Sequence, residues 1–166
     1  TSAARVVARI DAENHRHRPV EARAAPEVSL NCGTLHGGHA LNVVAERCEL
    51  SFEVRFSTDH DPERLLAPLR DAIDREGELL GAVGGGVTMV ETLRYPALHT
   101  EADQPMLALV ERIADAGKAA AIGYGTEGGM FAAALRVPVV ICGPGDIAVA
   151  HRPDEFVSVE QLLRCE

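Results

Sequence analysis

His151, Arg152, Asp154 and Glu155 follow closely on the apolar run Val139-Val140-Ile141-Cys142 and the turn Gly143-Pro144-Gly145. An imidazole beside carboxylates at such a place could ligate a metal or act as a general base. It could equally be a bland surface turn, because one histidine alone specifies neither. Strand ends that open into Gly-rich loops are where α/β proteins put their chemistry. Arg55 is the second residue of interest. It alternates with Leu50, Phe52, Val54 and Phe56 and so faces away from the core, with Ser51 and Glu53. Its guanidinium could clamp an anion or pair with Glu53, and the spacing alone favours the ion pair. Other candidates carry less. His15 and His17, two apart on a basic helix end, do not face one another and read as surface. Gly84-Gly85-Gly86 has neither a lysine nor a following helix, so it is no phosphate loop.

The surrounding pattern divides the chain. Ala3, Val6, Val7 and Ile10 form one stripe and predict a helix over residues 1–17, capped by Thr1 or Ser2. Strands are predicted at 27–35 and 49–57, with a glycine-containing loop over 36–42. Asp61-Pro62 opens a second helix with a cap and a proline at its first position. Leu65, Leu66, Leu69 and Ile73 make its stripe, and Pro68 should kink it or shift its start. A strand follows over 87–93. This order is a split β-α-β module without its first strand. Residues 94–97 read as a linker. Beyond them come a helix from Asp103 or Gln104, a strand at 119–124, the loop Gly125-Thr126-Glu127-Gly128-Gly129, and a short helix through Met130, Phe131 and Leu135. A strand at 137–142, apolar throughout, suits burial on both faces. Ser158-Val159-Glu160-Gln161 reads as a capping box for a last helix.

The bulk numbers bound the function. The chain has 166 residues, 46% hydrophobic, enough for one domain or two small ones with a core. A formal net charge of -9 argues against a nucleic-acid partner, which needs clustered Lys and Arg. No run approaches the ~20 apolar residues of a membrane helix, and no signal peptide is visible. Cys32, Cys48, Cys142 and Cys165 form no C-x-x-C pair and lie in or beside apolar runs, so buried reduced thiols in a cytoplasmic protein are expected. The start without methionine and the stop inside a helical run lead to the expectation of a piece of a longer protein.

Three ordered stretches carry a resemblance that spans nearly the whole chain. They are Gly33-Thr34-Leu35-His36-Gly37-Gly38 with Asn42-Val43-Val44, Tyr124-Gly125-Thr126-Glu127-Gly128-Gly129-Met130-Phe131, and Cys142-Gly143-Pro144-Gly145 with His151-Arg152-Pro153-Asp154-Glu155-Phe156-Val157. Together they resemble the dinuclear zinc aminoacylase and carboxypeptidase family, in the branch that removes the acetyl group from N-acetyl-L-ornithine in arginine biosynthesis. The resemblance implies an α/β chain with an α+β lid. Residues 1–93 would be a split β-α-β lid or dimerisation domain lacking its first strand. Residues 94–166 would be the C-terminal part of a zinc-peptidase-like α/β catalytic domain. It implies a homodimer through the lid, a small N-acyl amino acid as substrate, and two Zn²⁺ or Co²⁺ ions per active site in the full-length enzyme. The ions would activate a water for attack on the amide, with a glutamate as general base.

Residue by residue, the resemblance implies that His151 ligates the second metal and that Asn42 reaches into a neighbouring active site. It implies that Arg55 holds a substrate carboxylate, which reverses the preference drawn from spacing. Gly125, Thr126 and Glu127 would line the substrate pocket, and Glu127 could pair with the amine of ornithine. The family's usual Ala-Gly after that glutamate is Gly128-Gly129 here, and its usual Pro after Asn-Val-Val is Ala45. The general-base glutamate and the other metal ligands would lie outside the chain, so it is expected to be inactive alone and to bind no metal in the family manner. Alternatives are a related deacylase or peptidase acting on succinyl-diaminopimelate, acetylcitrulline or a peptide, or a non-catalytic dimerisation module.

Overall fold

The structure is a computed structural model and describes residues 1–18, 27–114, 117–123, 125–150 and 152–165. Its elements run α1 (Ser2–Arg16), β1 (Val28–Gly37), β2 (Cys48–Phe56), α2 (Pro62–Gly81), α3 (Pro105–Ala114), α4 (Gly128–Leu135) and α5 (Val159–Cys165). It is a mixed α/β chain with a two-stranded sheet in which β1 and β2 pair antiparallel.

The first half is a helical layer on one face of that hairpin. Val6 and Ile10 of α1, Val28 and Leu30 of β1, and Leu69 and Ile73 of α2 are buried together. Cys32, Phe52, Val54 and Phe56 pack against them partly buried, as the period of two requires. Pairing steps from Cys32↔Phe52 to Thr34↔Ser51, leaving Gly33 as the extra residue of a bulge. β1 continues to Gly37, two residues past the expected end, because Gly37 still finds Cys48 opposite.

The helix ends follow their local chemistry. The Asp61 carboxylate accepts from the Glu63 amide at 2.9 Å, with Pro62 behind it. The helix starts there and continues through Pro68, so the expected shift of its start does not occur. Thr1 is the N-cap of α1 but makes no side-chain capping bond. The Asn14 side chain accepts the Leu30 amide at 2.9 Å and ties α1 to β1. Gly84 adopts φ 82, the left-handed turn that lets the chain leave α2.

One ion pair lies within α1 and a second joins α1 to α2. Glu13 is 4% exposed and meets Arg9 at 2.7 Å. Arg5 grips Glu76 with two donors, each at 2.6 Å. These hydrogen bonds hold the Glu76 carboxyl down to about 2, against a usual 4.5. The sign follows from linkage. The stabilisation from ionised Glu76 is fully present above about pH 4.5 and is lost as pH falls toward 2. Urea titrations of the native chain and Glu76→Gln at pH 5.5 and pH 3 should therefore show the native chain losing more stability on acidification. Equal losses would show that Glu76 carries no such linkage.

The second half differs from the sequence expectation. The segments 87–93, 119–123 and 137–142 carry no strand pairing among the described residues. A strand exists only as one side of a ladder, and an apolar pattern cannot supply the other side. Residues 87–93 still lie beside the first core, where Met89 packs partly buried. Arg94 holds the end of this run by donating to Glu91 at 2.6 and 2.7 Å and to Glu63 of α2 at 2.8 Å. Glu63 also pairs with Arg70. The cations lower both carboxyls from their usual value, and the carboxylates raise the Arg94 guanidinium.

Neither α3 nor α5 buries a residue. Ile113, Phe131, Leu135, Ile141, Phe156 and Leu163 are all more than half exposed. The expectation of buried thiols fails for three cysteines. Cys48, Cys142 and Cys165 are exposed, and only Cys32 is partly covered. Apolar neighbours in sequence cover a thiol only if another element packs over them. No helix is long and apolar enough to cross a membrane among the described residues.

Candidate substrate site

Arg55 projects from the outward face of β2 and pairs with Glu53 at 2.9 Å. Both side chains are more than two-fifths exposed, so water screens the pair and it is easily exchanged for another anion. The bland reading of Arg55 is thus what this state shows. The clamp reading requires only that a carboxylate replace Glu53.

The loop 125–129 is held from outside itself. The Thr126 hydroxyl accepts the Gly128 amide at 3.3 Å and caps the start of α4 in place of Glu127, whose side chain makes no capping bond. Gly125 lies against the Tyr95 ring, and Gly129 against the Pro96 carbonyl, so closely that a Cβ on either would overlap its neighbour. Gly128 and Gly129 are buried. The residues read as a linker are therefore a wall on which this loop rests. Adjacent glycines in a helical start were the available signal, since a close backbone approach is one of the few reasons to place them there.

A wide cleft of about 2170 Å³ separates β2 from residues 86–100. Arg55, Gly125 and Thr126 all line it, whereas Asn42 and Glu127 lie outside its lining. Asn42 sits exposed in the connection between β1 and β2. The volume exceeds the roughly 300–1,000 Å³ of a fitted small-molecule pocket. The cleft therefore brings three of the five expected substrate residues to one space without enclosing a ligand.

The metal position lies outside the described residues, since His151 is not among them. Its supporting loop is described. Asp146 accepts the Ala148 amide at 2.8 Å, and Gly145 takes φ 125 in the Gly-Pro-Gly turn. The capping residue Ser158 accepts the Gln161 amide at 3.1 Å, as expected. The Gln161 side chain does not close the box but donates to the Gly145 carbonyl at 3.2 Å, which ties α5 to the turn. Among the described residues no three His, Cys, Asp or Glu side chains come together as a donor set. The described residues by themselves do not supply the donor set of a catalytic zinc site, which wants about three protein ligands.

Residues 1–79 match the family model of the peptidase dimerisation domain. Curated acetylornithine deacetylases match further. That of Myxococcus xanthus is 33% identical over 144 residues, covering 85% of this chain and 36% of the relative. Those of Proteus mirabilis and Vibrio parahaemolyticus are 31% and 30% identical, over 81% and 82% of this chain and 33% and 35% of their own length. The chain thus spans about a third of the length of the curated relatives it matches. The solved aminopeptidase PepT from Bacillus cereus covers 98% of this chain and 41% of its own with a TM-score of 0.65. At 20% identity this shows a shared fold. A peptidase dimerisation domain model thus matches residues 1–79, and similarity to acetylornithine deacetylases runs beyond it into the second half of the chain.

Proposed function

We propose that the chain is part of a metal-dependent amidohydrolase that removes the acetyl group from N-acetyl-L-ornithine in the cytoplasm. Residues 1–93 would be its lid or dimerisation domain and residues 94–166 the C-terminal part of its catalytic domain. The observation that carries this reading is the reach of the deacetylase match. At 144 residues it runs well past the 79 of the dimerisation domain and so includes sequence from the second half.

In this reading Arg55 leaves Glu53 to hold the substrate carboxylate, and its planar fork suits that partner. Gly125 and Thr126 form the pocket wall, and Glu127 pairs with the side-chain amine. Asn42, on its exposed connection, serves the site of a partner subunit. His151 contributes one metal ligand. The general base and the remaining ligands come from polypeptide outside residues 1–166.

The test has two parts. Zinc analysis and an N-acetyl-L-ornithine deacetylation assay on the 166-residue chain should give neither stoichiometric metal nor turnover. In the complete polypeptide that this reading requires, Arg55→Ala should raise KM about ten- to hundredfold, the loss of one charge-assisted contact. Turnover by the 166-residue chain alone, or an unchanged KM in the variant, would refute the corresponding assignment. The family match over residues 1–79 also supports a second reading, a dimerisation module without catalysis. Sedimentation would show a defined dimer in that case, with no turnover in the complete polypeptide.

A further inference from the structure

We infer that Glu53 selects the charge of the ligand at Arg55: it stands in for a single carboxylate there and, once displaced, repels a second. The role depends on Arg55 being the clamp for a substrate carboxylate, as proposed above, and gives that clamp a specificity-determining partner. Glu53 and Arg55 lie two residues apart on the outward face of β2, about 7 Å along the strand. Their cross-strand partners on that face are neutral, Asn31 opposite Glu53 and Ser29 opposite Arg55. Both charged residues line the cleft, and they meet at 2.9 Å. Across the cleft Arg94 is committed to Glu91, to which it donates at 2.6 and 2.7 Å.

The pair at Arg55 differs from the other Arg–Glu pairs around it. Arg5 holds Glu76, and Arg94 holds Glu91, each through two nitrogens, the geometry that fixes a carboxylate. Arg55 and Glu53 make no such two-donor contact among the described residues, and both are exposed. The Arg55 fork is therefore occupied but not filled. An external carboxylate that engages both nitrogens gains more than Glu53 provides and displaces it. Held on the same strand, Glu53 competes at a high effective concentration and raises the ligand concentration needed. Once released it cannot leave, and it stays about 7 Å from the carboxylate that replaced it. A ligand with one carboxylate and a neutral or cationic remainder tolerates that neighbour. A ligand with two carboxylates meets a like charge at short range. The arrangement thus favours N-acyl amino acids with neutral or basic side chains over acidic ones.

The experiment titrates the 166-residue chain with N-acetylglycine and, separately, with N-acetyl-L-glutamate. Binding is followed through the Arg55 side-chain N–H signal in ¹⁵N magnetic resonance spectra, assigned by its loss in Arg55→Lys. Glu53→Gln keeps the shape of the side chain and removes its charge. In this variant half-saturation by N-acetylglycine should fall about two- to sixfold, the worth of one exposed ion pair. Half-saturation by N-acetyl-L-glutamate should fall by a further factor of about two to ten, because a second repulsion is lifted. Glu49→Gln removes an equal charge from the same strand face, but Glu49 pairs with Arg47, so this variant should match the native chain. Equal half-saturation in the native chain and Glu53→Gln would overturn the inference. So would equal falls for the two ligands, an equal fall in Glu49→Gln, or no response of Arg55 to either ligand. Turnover plays no part in this readout. Shifts of the expected size with no hydrolysis of N-acetyl-L-ornithine by the complete polypeptide would refute the deacetylase reading and leave the role of Glu53 standing.

Discussion

Leu69→Ala is expected to destabilise the first half of the chain by about 2–5 kcal/mol, the usual cost of emptying a buried leucine site. Leu69 is 1% exposed and, with Val28, is one of the two largest fully buried side chains. It belongs to the buried cluster that α1, β1 and α2 share, so the cavity would open within that core rather than against one flexible neighbour. The buried apolar set among the described residues is only Val6, Ile10, Val28, Leu30, Leu69 and Ile73. In a core this small, one emptied site removes a large share of a net stability that is typically about 5–15 kcal/mol. Leu65→Ala, at a partly buried position on the same helix, should cost clearly less. Urea denaturation followed by far-ultraviolet circular dichroism measures both. A loss below about 1 kcal/mol at Leu69 would mean that the core does not close around it.

Gly129→Ala sets two effects of opposite sign against each other. Alanine is the better helix former by about 1 kcal/mol at an unconstrained site. Here a Cβ would overlap the Pro96 carbonyl oxygen and come within 2.9 Å of its carbon and 3.1 Å of the Ala97 carbonyl carbon. The obstacle is backbone and cannot rotate away. Overpacking of this kind costs about 1–3 kcal/mol, so the net effect should be destabilising. Gly128→Ala meets the tips of Leu98 and Ile141 at 2.9 and 3.0 Å, which can swing aside. The milder outcome expected there agrees with the alanine that the resembled family usually carries at this position. Exchange of amides in residues 95–98 and 126–135 should quicken in Gly129→Ala and change little in Gly128→Ala. The reverse order would show that the linker and loop are not packed as described.

The extent to which the fold is legible in sequence varies along the chain for a physical reason. Helix α2 is readable at both ends, since Asp61-Pro62 and the turn at Gly84 act through bonds and backbone angles within a few residues. Strand β2 is equally plain, because its core lies within the same half and rewards strict alternation. The segment 137–142 has the stronger apolar run and yet makes no ladder among the described residues, because pairing is a property of two segments. Cysteine burial was misjudged on the same ground. The candidate site divides likewise. Its residue types and order carry the family resemblance, and the matched relatives agree with it.

Spacing by itself thus determined the helices, the strands β1 and β2, the outward face of Arg55, and the Gly-rich loops that could carry chemistry. Only the tertiary structure decided which of these meet. It put Arg55, Gly125 and Thr126 on one cleft and left Asn42 and Glu127 off it. It made Tyr95 and Pro96 the wall behind the glycine loop, and anchored the Gly-Pro-Gly turn through Gln161. Contacts between residues far apart in sequence depend on how whole elements stack, and no short pattern records that. The loop that bears His151 is legible as chemistry from its sequence, but what it can do depends on groups that must be brought to it in space.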